Sequence, residues 1–174
     1  VTKATRQNKD LMHQPGFPAG ILPIITVTSQ LFHFVLALPI LAFFVWLDGH
    51  SVSPALLALP LVVAVQFLFT LGVCYFIVPL QALFHDTEHV LTLGLMVMFY
   101  LSPVFYDPSV VPPQYSIIYE LNPFVPLLGA YRSVVIAGVL PSMWFFVDVG
   151  ALSVILIAAG YSFYKRLHYH LIWD

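Results

Sequence analysis

His85 and His89 stand four residues apart in the stretch HDTEH, with Asp86 and Glu88 between them. On a helix that spacing turns both imidazoles the same way, and two imidazoles beside carboxylates can chelate a transition metal. The remaining candidates for a larger ligand set are His168, His170 and a lone His13. A separation of two is poor for a shared helical face, and these are too few ligands for a dinuclear iron centre. The plainer alternative is a capped, solvated turn. A second polar set lies inside apolar sequence: Gln30 and His33, three apart, and Gln66. Polar groups in such surroundings usually face a bundle interior or a pathway, so these are read as interhelical hydrogen-bonding groups or substrate contacts. Glu120 and Arg132 can pair with one another or touch an anionic substrate. No glycine loop of the Walker type is present, so ATP is not bound by that route.

The elements that must position these residues are membrane helices. The chain has 174 residues, 60% hydrophobic and 8% charged, against about 25% charged for a soluble domain. An all-α integral membrane protein follows. The formal net charge of −2 argues against nucleic acid as a partner. One cysteine, Cys74, excludes an intrachain disulfide. Val1 to Gln14 is polar, with no apolar core of the signal type. Because it opens on Val rather than Met, the sequence is expected to be part of a longer chain.

A crossing needs roughly 20 apolar residues. Four spans are expected, over about 21–47, 54–84, 90–106 and 144–164, with a segment 107–142 that is too broken to cross. Lys3, Arg6 and Lys9 precede the first span and Lys165 and Arg166 follow the last. The positive-inside rule puts both ends in the cytoplasm. The DGHS turn (Asp48 to Ser51) and the segment 107–142 then face outward, HDTEH faces inward, and Arg132 is the exception to the charge rule. No internal repeat is visible.

The stretch LSPVFYDPSVVPPQYSIIYELNPFVP, Leu101 to Pro126, holds six prolines among Val, Ile, Tyr and Phe. Proline removes a backbone donor and biases the preceding residue away from helix. Irregular backbone at membrane depth is tolerated where protein or a water-filled cavity shields it. The stretch therefore reads as re-entrant half-helices of an outer gate, with corners at Pro108, Pro112-Pro113 and Asn122-Pro123. Aromatics such as Phe43, Phe44, Trp46 and Tyr100 offer faces that can stack on sugar rings, although those at span ends also suit an interfacial belt. Residues 1–20 mix charges with scattered apolar positions and read either as a surface helix or as a solvated linker.

Leu101-Ser102-Pro103-Val104-Phe105-Tyr106, then Leu121-Asn122-Pro123, then Tyr131-Arg132 and Gly138, resembles the C-terminal part of the ABC type-2 exporter permeases. Within these it is most similar to the exporters of O-antigen, capsule and teichoic acid. Phe17-Pro18 and Ile21-Leu22-Pro23 resemble the family's entry to its third span. The resemblance implies that these are the last four of six spans, joined by re-entrant outer gate helices. It implies a cytoplasmic coupling helix within 1–20 that docks an ATPase subunit through residues such as Lys3, Arg6, Lys9 and Asp10. It places Tyr100, Ser102, Pro103, Phe105, Tyr106, Asn122, Pro123, Tyr131 and Arg132 at the gate or pathway, with Phe43, Phe44 and Trp46 as pathway aromatics. The implied assembly is two permease copies with two ATPase subunits in a bacterial or archaeal cytoplasmic membrane, passing a polysaccharide or glycolipid. ATP and Mg would be bound by the partner, with no cofactor and no catalysis on this chain. Where the family often has Arg-Asp, this chain has His85-Asp86. The competing readings are a drug or lipid exporter of the same superfamily, and a metal-dependent membrane enzyme, since HDTEH also looks like one histidine box of the di-iron desaturases.

Overall fold

The computed structural model describes residues 21–49, 53–84, 86–104 and 122–173, without the side chains of 22, 82, 83 and 167–173. All regular structure among them is helical: α1 (Ile21–Leu47), a short 3-10 helix (Pro54–Ala58), α2 (Leu59–Leu83), α3 (Thr87–Leu101), α4 (Phe124–Val135) and α5 (Met143–Trp173). In a hydrocarbon layer every backbone polar group needs a partner within the segment, and helices supply it. Among the described residues, three helical stretches are long and apolar enough to cross a membrane: Pro23–Leu47, Pro54–Gln81 and Met143–Arg166. Pro39 and Pro79 lie inside α1 and α2, as spanning helices allow when neighbours re-satisfy the freed carbonyls.

The observed helices differ from the expected spans at α3 and α5. The span anticipated over 90–106 begins earlier, at Thr87, and its helix has 15 residues, about 22 Å at 1.5 Å per residue against about 30 Å of hydrocarbon. It stops because Pro103 follows: Ser102 takes the extended conformation (φ −84, ψ 145) that a residue before proline prefers. The last helix runs on to Trp173, beyond the expected end at 164. Of the gate segment 107–142, residues 122–142 are described and hold one helix of 12 residues, α4.

α2 is the centre of the fold. Val62, Val65 and Phe69 of α2, Leu127, Ala130 and Val134 of α4, and Phe145 and Val149 of α5 form one buried cluster. Farther along α2, Leu71, Cys74, Tyr75 and Val78 pack with Val27 of α1 and Tyr164 of α5. The most extensive helix pair is α2 with α5, and glycines permit its closeness. A Cβ on Gly72 would lie 2.7 Å from Leu156 Cβ, and one on Gly160 would lie 2.9 Å from Tyr75 Cβ. Small residues let membrane helices approach in this way, where no hydrophobic drive separates helix from lipid.

Candidate functional site

The corners built by the two proline motifs meet in space. Ser102, at the end of α3, is 3% exposed, and its hydroxyl donates to Met98 O at 2.7 Å within its own helix. Asn122, also 3% exposed, donates from Nδ2 to Ser102 Oγ at 3.0 Å. The other end of the same amide works locally, with Oδ1 accepting from Phe124 N at 3.0 Å, while the Asn122 carbonyl accepts from Val125 N at 3.1 Å. Those first amides of α4 lack intrahelical partners, so an accepting side chain just ahead of the helix is the usual remedy. Pro123 (φ −67) supplies the preset dihedral for the first turn. Asparagine offers a donor and an acceptor on one short side chain, and this joint uses both.

Around the joint, Pro103 is fully buried. Arg132 Nη2 donates to Val104 O at 3.3 Å, and Val104 N donates back to Ser102 O at 2.7 Å. Tyr131, one residue earlier on α4, donates from its hydroxyl to Gln66 Oε1 in α2 and meets Phe34 of α1 edge to face with ring centroids 5.8 Å apart. Phe124 meets Phe69 of α2 in the same manner at 6.0 Å. Six anticipated residues, Ser102, Pro103, Asn122, Pro123, Tyr131 and Arg132, thus lie along one strip linking α3, α4 and α2.

The other anticipated residues are elsewhere. Tyr100 is exposed on α3, its ring against Phe99 at 5.8 Å. Phe43, Phe44 and Trp46 form an exposed aromatic group near the end of α1. Gln30 and His33 are exposed on α1, whereas Gln66 makes an interhelical hydrogen bond, one of the two roles open to it. Phe105, Tyr106, Lys3, Arg6, Lys9, Asp10, His13, His85 and Glu120 lie outside the described residues, as do the side chains of His168 and His170. No group of three metal-ligating side chains occurs among the described residues. The described part of HDTEH is a helix start, in which Thr87 Oγ1 donates to Phe84 O at 2.8 Å and Leu80 O at 3.2 Å.

Ser53 was not anticipated as part of this framework, and Gly138, although part of the quoted motif, was given no place in it. Ser53 caps the 3-10 helix, accepting from Ala55 N at 3.3 Å, and donates to Gly138 O at 2.8 Å. Gly138 takes φ +64 and ends α4, with Val139 N returning to Ser133 O at 2.9 Å. That closure of the chain beyond the helix, with a left-handed residue just before its end, favours glycine. The signal was legible as a Ser-x-Ser-Pro start and a glycine after the helix, but their pairing was not.

Buried hydrogen bonds, a proline joint and aromatic packing suit a part that holds or changes shape. Residues 20–136 match the ABC-2 type transporter family, a segment that contains the whole joint. The chain belongs to the ABC-2 type transporter family. It is similar to the O-antigen export system permease protein RfbA of Klebsiella pneumoniae, 28% identical over 167 residues, covering 93% of this chain and 62% of that protein. The Myxococcus xanthus protein of the same description is 29% identical over 164 residues, covering 93% and 63%. The chain thus spans less than two thirds of the length of these relatives. Family membership and the apolar helices together make it a multi-pass membrane protein of the ABC-2 transporter type.

Proposed function

We propose that this chain is the membrane-spanning part of an exporter permease that moves a polysaccharide of the lipid-linked O-antigen, capsule or teichoic acid type across the cytoplasmic membrane. ATP hydrolysis in a partner subunit drives it, and two permease copies pair with two such subunits. The observation that carries this reading is the match over 93% of the chain to O-antigen export permeases. The joint adds a mechanical basis. A half-length helix packed against a spanning helix, entered through Asn122-Pro123 and left through Gly138, suits a gate element that does not cross the membrane. The basic residues at both ends favour cytoplasmic termini, which makes α3 the start of a fourth crossing and puts the joint in the outer half of the membrane. Lys3, Arg6, Lys9 and Asp10 are then available to dock the ATPase. The permease itself only has to adopt two shapes with different contacts, biased by what the partner binds.

The test is a mild-detergent capture of the full-length protein from its native membranes. A soluble subunit with a Walker A loop at fixed stoichiometry supports the reading. Capture of an intact assembly lacking any such subunit overturns it.

A further inference from the structure

α1 packs inward along one face, through Pro23 and Val27, both buried, and through Phe34 against Tyr131. At 3.6 residues per turn, Ser29, Gln30 and His33 share an arc of about 100°, centred about a quarter turn from that face, and all three are exposed. They stand about 9–15 Å along the helix from Pro23, the nearer end of the crossing stretch Pro23–Leu47, and so inside the hydrocarbon layer. No side-chain hydrogen bond joins Ser29, Gln30 or His33 to any described residue. The His33 ring meets Phe32 edge to face, with centroids 6.4 Å apart. Other helical hydroxyls are spent on their own backbone: those of Thr70, Thr92, Ser133, Ser153 and Ser162 each donate to the carbonyl four residues back, at 2.6–2.8 Å. The Ser29 hydroxyl is not. Three side chains with unspent donors and acceptors thus stand together where hydrocarbon offers no partner, and polar groups at that depth face protein or water.

We propose that this side of α1 is a water-lined wall of the polymer's route, where Ser29, Gln30 and His33 exchange hydrogen bonds with the hydroxyls of a neutral sugar chain. The glycan as occupant rests on the export reading and deepens it; the wet wall does not. Residues Ile21–Leu47 include no Asp, Glu, Lys or Arg, so the wall has no fixed charge to hold an ion. Serine, glutamine and neutral histidine each donate and accept, which matches a sugar hydroxyl that does both. Such neutral bonds, traded one for one with water, gain little net energy, and a chain held that way slides rather than sticks. A sugar also has an apolar ring face that aromatic rings can cover. Phe44, 62% exposed, lies in the same arc eleven residues beyond His33, about three turns on. The opposite side of the helix, with Ile24 and Val35 exposed on either side of Thr28, faces lipid.

The test places single cysteines at Ser29, Gln30, His33, Ile24 and Val35 of the full-length protein in lipid nanodiscs, in a background without native cysteines, Cys74→Ala included. A charged, membrane-impermeant maleimide reports contact with water, because the thiolate reacts and apolar surroundings suppress it. Positions 29, 30 and 33 should react roughly tenfold or more faster than 24 and 35. Slow reaction at all five, as when another helix of the full-length protein covers this side, overturns the proposal, and so does equally fast reaction at all five. The glycan contact is tested in cells with Gln30→Leu and His33→Leu together. That variant should lose surface polysaccharide while still capturing the ATPase, and a normal level of surface polysaccharide overturns the contact. Fast reaction at 29, 30 and 33 in a protein that captures no ATPase supports the wet wall and removes the export reading.

Discussion

Replacing Asn122 by Ala removes two hydrogen bonds of different kinds, which can be separated. Its Oδ1 accepts from Phe124 N, a helix-start bond whose loss costs about 0.5–2 kcal/mol. Its Nδ2 donates to Ser102 Oγ, and interhelical bonds of this type in membranes are worth about 0.6 and up to about 1.7 kcal/mol. The single variant should therefore lose about 1–4 kcal/mol. Ser102→Ala leaves Asn122 Nδ2 in a site only 3% exposed with its acceptor gone, which costs about 1–3 kcal/mol. In the double variant no orphaned amide remains, so the second substitution should add little. The predicted coupling is about 1–2 kcal/mol, with the double variant less destabilised than the sum of the singles. The assay is reversible unfolding of the full-length protein in mixed micelles, run as a double-mutant cycle. Additivity within about 0.5 kcal/mol would refute the pairing.

Three further outcomes follow from the packing. Gly72→Ala drives a Cβ to 2.7 Å from Leu156 Cβ and should cost about 1–3 kcal/mol, whereas Gly150→Ala, with nothing within 4 Å, should be neutral or slightly stabilising; midpoints in the same assay compare them. Tyr131→Phe keeps the ring against Phe34 but strands Gln66 Oε1, for a loss of about 1 kcal/mol, and adding Gln66→Leu should recover most of it. Gly138→Ala should lose more than Gly49→Ala. Both sit at positive φ, +64 and +87, but only at Gly138 does the new Cβ meet Ser53 Cβ, at 2.9 Å. The left-handed conformation alone costs about 1–2 kcal/mol.

Local chemistry and long-range pairing differ in how far they could be read from sequence. The bounds of α1 and the start of the Pro54 helix were readable because apolar runs end there at turn residues. The corner at Asn122-Pro123 was readable because proline acts on its immediate neighbour, whereas Pro103 lay inside an expected span. The short reach of α3 follows from the same proline, but the expected span ran past it because Val104, Phe105 and Tyr106 are apolar. What could not be read is which corner meets which. Asn122 finds Ser102 across 20 residues, Tyr131 finds Gln66 across 65, and Ser53 finds Gly138 across 85. Each depends on helix rotation, which packing sets and apolar composition does not encode. HDTEH shows the opposite case: a spacing that suggested metal chemistry contains Thr87, whose hydroxyl ties the start of α3 to the end of α2.

Glycan export can be measured in cells of the source organism from which the full-length protein can be depleted. On depletion, lipid-linked polysaccharide should accumulate on the cytoplasmic face and disappear from the surface, and re-expression should restore it. Surface polysaccharide that stays at its normal level after full depletion would contradict it.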